Sequence, residues 1–221
     1  MVRHHPAVDI LERPRLRGVF HQYAFFGALV AGTVLVLVAE SVRERVAMLV
    51  YAAALVAMFG ASALYHRVPW RSLRVRVWMR RLDHSTIPLL IAGTYTPFAL
   101  LAFDGMLAQA VLVAVWCGAG AGLLLNLVWV DAPTWVTAVV YLALGWVGVV
   151  ALPELFDVGL APALLVLAGG ALYTVGAVVY ALRRPDPAPT VFGYHEVFHA
   201  LVIVAAALQY AVIAFYVIPD G

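Results

Sequence analysis

The sequence has no lysine and a single cysteine, Cys117, and only 12% of its 221 residues are charged. One cysteine excludes a framework of internal disulfides. A soluble domain carries about 25% charged residues, so this low charge, with 65% hydrophobic residues, excludes an ordinary soluble protein. A chain of this length cannot hide so much apolar surface in a core, and lipid is the solvent that suits it.

Long uncharged runs separate the few charged clusters. About 20 apolar residues cross the hydrocarbon core as a helix, whereas runs such as LVAGTVLVLVA lack the alternation of barrel strands. We therefore predict an all-α bundle of seven transmembrane helices over residues 18–221, after a basic tail over residues 1–17. The predicted helices are 18–39, 46–66, 84–103, 105–130, 132–153, 158–182 and 195–218.

The arginines predict the orientation. Of the 14 basic residues, only Arg43 and Arg45 fall between the first and second predicted helices, and the rest fall on the side of the N-terminus. Positive loops stay in the cytoplasm, so we expect a cytoplasmic N-terminus and an extracytoplasmic C-terminus in a bacterial plasma membrane. We expect membrane lipids as partners and no nucleic acid.

Ionisable residues inside membrane helices are costly and usually functional. This topology places His66, Asp83, His195 and His199 at the cytoplasmic ends of three predicted helices, at one level of the membrane. His195 and His199 are four residues apart, so both imidazoles lie on one helix face. With a third histidine they can form a zinc site that keeps an open position for water.

Two further polar residues accompany the histidines. Ser62 lies one helical turn before His66, and Glu196 turns the last pair into an HExxH pattern, in which the glutamate is a general base. Each residue also has a plainer interpretation: Asp83 could cap the third helix, and Ser62 could bond its own backbone. We expect no role at the site for His4, His5, His21 or His84.

Three motifs resemble the signature of the hemolysin III family, the bacterial branch of the progestin and adipoQ receptors, which include the adiponectin receptors. They are SALYH at 62–66, DHSTIPLLIAGTYTPF at 83–98 and HEVFH at 195–199. The resemblance extends from about Gly18 to Tyr216. It implies zinc on His66, His195 and His199, with Ser62 nearby, an N-inside topology, and Asp83 holding the water on the metal.

The resemblance also suggests a function, because the wider superfamily includes alkaline ceramidases. It implies a zinc-dependent hydrolase of a lipid amide or ester, in which Asp83 takes a proton and Ser62 orients the water or stabilises the oxyanion. Glu196 departs from the family pattern and leaves an alternative base open. The competing hypotheses are a receptor or sensor with structural zinc, and a membrane-permeabilising hemolysin, although the chain is too apolar for a released soluble toxin.

Overall fold

The structure, a computed structural model, describes residues 14–129 and 131–219. Within these ranges it contains seven helices long and apolar enough to cross a membrane and no named strand, which confirms the predicted all-α bundle. The helices are α1 (Val19–Val38), α2 (Val42–Arg67), α3 (Leu73–Ala102), α4 (Gly105–Val128), α5 (Thr134–Val158), α6 (Leu160–Leu182) and α7 (Tyr194–Val217).

Two helices begin a full turn or more before their predicted starts. Helix α2 begins at Val42, where the Ser41 hydroxyl accepts a hydrogen bond from the Glu44 backbone N–H at 3.1 Å and caps the first turn. The third predicted helix begins at residue 84, but α3 begins at Leu73. Arginine is a good helix former, so the charged stretch before residue 84 continues the helix beyond the apolar segment.

Two helices also contain irregular turns. Helix α3 ends in a π-helical segment, Phe98–Ala102, directly after Pro97, which lacks the backbone N–H that a regular helix needs. Helix α5 is α-helical to Gly145 and then passes through a 3₁₀ segment, Trp146–Ala151, before its last turns. Such breaks are tolerated at membrane depth where protein surrounds the backbone.

Small residues bring the helices close together in the middle of the bundle. A Cβ atom added to Gly93 of α3 would lie 2.5 Å from the Cβ of Ala54 in α2. One added to Gly32 of α1 would lie 2.8 Å from the Cβ of Ala52, also in α2. Close packing of this kind drives helix association in lipid, where burying apolar surface gains little.

Large apolar side chains cover the outside of the bundle. Val30, Leu37, Met106, Val128 and Phe215 are each more than half exposed on the isolated chain. An apolar surface of this extent would be an aggregation hazard in water, but it costs nothing against lipid tails.

One end of the bundle is defined by the C-terminal turn of α2 and the N-terminal turns of α3 and α7; we call it the arginine-rich end. The residues before α1 also lie there, because the backbone N–H groups of Arg15 and Leu16 donate to the carbonyls of Thr190 and Val191 in the connection before α7. Most of the predicted basic tail, residues 1–13, is outside the described residues.

Candidate metal centre

Three histidines meet at the arginine-rich end. His66 lies in the last turn of α2, and His195 and His199 lie in the first two turns of α7. One ring nitrogen from each lies within 4.8 Å of the others, and Nε2 of His66 is 3.2 Å from Nε2 of His195. Each side chain is at most 9% exposed. The structure thus brings together the three predicted metal ligands closely enough to hold a metal ion.

The donor set fits a metal better than it fits an empty polar cluster. Zinc–nitrogen bonds of about 2.0–2.1 Å in a tetrahedral site separate two ligand nitrogens by roughly 3.3 Å, close to the His66–His195 distance. Nδ1 of His199 is buried without a hydrogen-bond partner among the described residues. Unpaired buried polar atoms are costly, and coordination of the cluster would offset part of that cost.

A glycine allows the start of α1 to approach His66 closely. Gly18, directly before α1, has a φ angle of 77°, and a Cβ atom added there would lie 2.5 Å from the Cβ of His66. Only glycine adopts this left-handed conformation without strain. The close approach of Gly18 packs the start of α1 against the end of α2.

Asp83 lies beside the histidines, but it is not at the start of its helix. Its Oδ2 atom is 3.8 Å from Nε2 of His66, and Asp83 and Ser62 line the same cavity. Because α3 begins at Leu73, Asp83 lies well inside the helix, and the interpretation of Asp83 as a helix cap is wrong. The carboxylate instead faces the cluster from a third helix.

His21 is the site residue that sequence reasoning missed. It is 2% exposed, its Nδ1 atom is 2.8 Å from the hydroxyl oxygen of Ser62, and its ring stacks on His199 with centroids 3.7 Å apart. The signal was available: His21 opens the first helix at the same membrane level as the others. A single histidine at a helix edge, however, does not by itself indicate a site residue.

Glu196 is buried at the same end but its carboxylate is otherwise engaged. One oxygen accepts from Nε of Arg17 at 2.5 Å, and the other accepts from the backbone N–H of Gly193 at 2.8 Å. These contacts cap α7 and tie it to the segment before α1. They disfavour Glu196 as the base of the HExxH interpretation, because both oxygens already serve other donors.

A cavity of about 210 Å³ opens from the histidine cluster into the bundle. Asp83, His195 and His199 lie along one end of it, and Phe98 and Gln209 line it farther along α3 and α7. At a rise of 1.5 Å per residue, His199 and Gln209 are about 15 Å apart along the helix axis. The remaining lining comes mostly from apolar side chains, so the cavity suits a hydrocarbon chain.

The sequence pattern of the family described as "Haemolysin-III related" matches residues 10–210, which include every residue of the cluster. The chain belongs to this family. It is 33% identical over 178 residues to "Hemolysin-3" of Bacillus cereus, covering 80% of this chain and 77% of that protein. It is 28% identical over 177 residues to the "Hemolysin-3 homolog" of Bacillus subtilis (strain 168), covering 80% and 79%.

The family also has a human relative. The chain is 24% identical over 194 residues to "Monocyte to macrophage differentiation factor" of Homo sapiens, covering 86% of this chain and 78% of that protein. The predicted family is therefore confirmed, and the likeness extends beyond bacteria. Family membership and seven apolar helices make the chain a multi-pass integral membrane protein, and the Bacillus relatives point to the bacterial plasma membrane.

Proposed function

We propose that this haemolysin-III-related protein is a zinc-dependent hydrolase that cleaves an amide or ester bond of a membrane lipid. One observation carries the proposal: a buried three-histidine cluster, with Asp83 and Ser62 beside it, stands at one end of an apolar cavity inside the bundle. A metal site that only stabilises the fold requires the histidines but not the cavity. A hydrolase of a hydrophobic substrate needs both.

Zinc is the metal that the donor set favours. Three protein ligands with one open position are typical of catalytic zinc sites, and imidazole suits zinc among the common divalent ions. The ion would be held by His66, His195 and His199 and would supply Lewis-acid polarisation of the substrate carbonyl and a more acidic water.

The chain's own residues supply the proton transfers. Asp83 would accept a proton from the attacking water and return it to the leaving amine or alcohol, so that water adds to the carbonyl and the acid is released. The Ser62 hydroxyl would donate a hydrogen bond to the oxygen on which negative charge develops. His21, at 2.8 Å from Ser62, would fix the direction of that hydroxyl.

The cavity supports a lipid as the substrate. Its apolar lining runs deep into the bundle from Asp83 and the histidines, which would place an acyl chain in the cavity and its carbonyl at the cluster. Active sites of this kind combine an apolar pocket with a few convergent polar groups.

We also propose that the arginine-rich end faces the cytoplasm. The support is the distribution of arginines, with only Arg43 and Arg45 at the other end of α2. A reporter that functions only outside the cytoplasm should be active when fused after residue 221. Activity of a cytoplasm-only reporter at that position would reverse the orientation.

A receptor or sensor with structural zinc is the second candidate, and one distance favours it. Asp83 Oδ2 is 3.8 Å from His66 Nε2, so a small shift would let the carboxylate take the fourth position of the metal. A site closed by four protein ligands is structural. In that case the metal would tie α2, α3 and α7 together without chemistry.

The variant Asp83→Asn tests the two candidates against each other. The amide is nearly isosteric but cannot accept a proton at neutral pH, so a hydrolase should keep its zinc and lose turnover of a lipid amide by at least about 100-fold, the usual range for a general base. A structural site should instead lose zinc. Zinc content and fatty-acid release from a ceramide in mixed micelles, measured on the same preparation, separate these outcomes.

Glu196→Gln is the matched control. It also removes one buried carboxylate at the arginine-rich end, but its contacts are with Arg17 and Gly193, so we expect turnover within about threefold of the parent and a stability loss of about 1–2 kcal/mol. Turnover that survives Asp83→Asn and disappears in Glu196→Gln would assign the base to Glu196.

A further inference from the structure

A second pocket lies at the arginine-rich end, apart from the apolar cavity. Its volume is about 320 Å³, within the range of about 300–1,000 Å³ typical of small-molecule sites. Four arginines line it, together with an imidazole and an indole. They are Arg17, Arg67, Arg71, Arg76, His66 and Trp70.

Guanidinium groups dominate the lining of this pocket. No carboxylate is among the described residues that line it. Arg17 is paired with Glu196, Nε of Arg67 donates to the neutral amide of Gln22, and Arg76 also has an interacting partner, whereas Arg71 is exposed. Guanidinium groups gathered around one space repel each other, and an anion bound among them would relieve that repulsion.

The donors in the pocket match an oxyanion. Arginine presents a planar fork of N–H groups that suits the oxygens of a phosphate. The indole of Trp70 lines the same space. Guanidinium N–H groups from several arginines around one space, with no carboxylate among the described lining residues, favour a multiply charged anion.

The arginine distribution is not explained by membrane orientation alone. Orientation requires arginines on one side of the membrane but does not require them to surround one space. Arg74 and Arg80 belong to the same helix as Arg76 yet do not line the pocket, and Arg80 instead pairs with Asp131 at 2.5 Å. Convergence on a pocket is therefore a separate feature of the fold.

The pocket and the cavity meet at the histidine cluster. His66 lines the arginine pocket, whereas His195 and His199 line the apolar cavity. A molecule with a charged head and an apolar chain could therefore reach the cluster from both sides. We propose that the arginine pocket binds a phosphate-type oxyanion, either free phosphate or the phosphorylated head of a lipid.

The binding itself does not depend on the proposed hydrolase activity, so the test measures binding to the full-length chain in neutral detergent. Inorganic phosphate and dodecyl phosphate are the two probes, and the readout is the probe concentration that gives half of the rise in unfolding temperature. Both probes are titrated against zinc-loaded and chelator-treated protein, which separates the arginine pocket from coordination to a metal.

Arg71→Gln is the informative variant, because Arg71 is exposed and lines the pocket. Arg74→Gln is the matched control, since it removes the same charge from the same end but from outside the pocket. We expect Arg71→Gln to need about tenfold more probe, as loss of a hydrogen bond to a charged group implies. Arg71→Lys should fall between Arg71→Gln and the parent, and Arg74→Gln should match the parent.

The two probes distinguish the sources of the anion. Equal stabilisation by both points to a free anion, and stabilisation by dodecyl phosphate at much lower concentration points to a lipid head whose chain also binds. The proposal is overturned if neither probe stabilises the parent, if Arg71→Gln and Arg74→Gln weaken binding equally, or if stabilisation disappears with the metal.

Discussion

The two ends of the bundle are packed by different chemistry. At the arginine-rich end the buried side chains are largely polar or charged: His21, Ser62, His66, Asp83, His195, Glu196 and His199. Toward the other end, where α2 begins and α7 finishes, the buried set is mostly apolar and includes Ala47, Met48, Val212, Ile213 and Val217. The same helices supply both ends.

The apolar end shows that these helices can pack mainly through apolar side chains, although Glu44 in the first turn of α2 is also buried. Ionisable side chains at membrane depth are expensive, and a cluster of them gains nothing for packing that alanine and valine could not supply. The concentration of polar burial at one end therefore distinguishes the candidate site from the rest of the bundle. Substitutions at the two ends should therefore differ in their effects on metal binding and on packing.

The largest effect is expected at the histidine cluster. His199→Ala should weaken metal binding by more than about 100-fold, beyond the 10–100-fold typical of changes behind the ligands. The variant's unfolding temperature should no longer fall when a chelator is added, because metal binding is coupled to folding. Metal content by elemental analysis and thermal unfolding with and without chelator measure this.

His84→Ala is the control for that variant. His84 is another histidine that lines the cavity, but it is not part of the cluster of three. We expect it to keep its metal and its response to chelator. Equal loss of metal in both variants would show that the cluster is assigned to the wrong histidines.

An intermediate effect is expected where α1 approaches the cluster. Gly18→Ala forces a side chain into a left-handed conformation, which costs about 1–2 kcal/mol, and directs its Cβ at His66. We expect a lower unfolding temperature and roughly tenfold weaker metal binding, in the range seen when a ligand's support is lost. Gly27→Ala is the control, because nothing lies within 4 Å of its added Cβ, and it should match the parent.

The smallest effect on the metal is expected from a change in the apolar packing. Gly93→Val places a side chain 2.5 Å from Ala54 between α3 and α2, and overpacking of this kind costs about 1–3 kcal/mol. Unfolding temperature should fall while metal content stays at the parent level. Loss of metal in this variant would mean that the two ends are not independent.

Much of this arrangement can be read from the sequence because membrane thickness fixes where each uncharged run must end. That constraint alone predicts that His66, His195 and His199 lie at one level of the membrane. It could not place the start of α3, because arginines after Leu73 extend a helix into water without changing its apolar length. The uncharged run therefore predicts Asp83 at a helix start, whereas the structure places it inside the helix.

Membrane thickness does not predict the direction in which a side chain points. Position along the membrane normal does not distinguish Glu196 from Asp83 as a candidate base. The contacts of Glu196 with Arg17 and Gly193 show that its carboxylate oxygens are engaged elsewhere. His21 lies at the same membrane level and is an equally good candidate by that criterion. Its contact with Ser62 depends on how α1 packs on α2. Helix packing, not helix length, decides which polar groups at one level share a site.

The coordination shell of the metal tests the central claim most directly. X-ray absorption at the zinc edge on the purified chain should show one zinc per chain, with three nitrogen ligands at about 2.0–2.1 Å and one exchangeable oxygen. The shell should be unchanged in Asp83→Asn. An oxygen ligand that disappears in Asp83→Asn, or a chain that binds no zinc at all, would contradict a site held by three histidines with an open position.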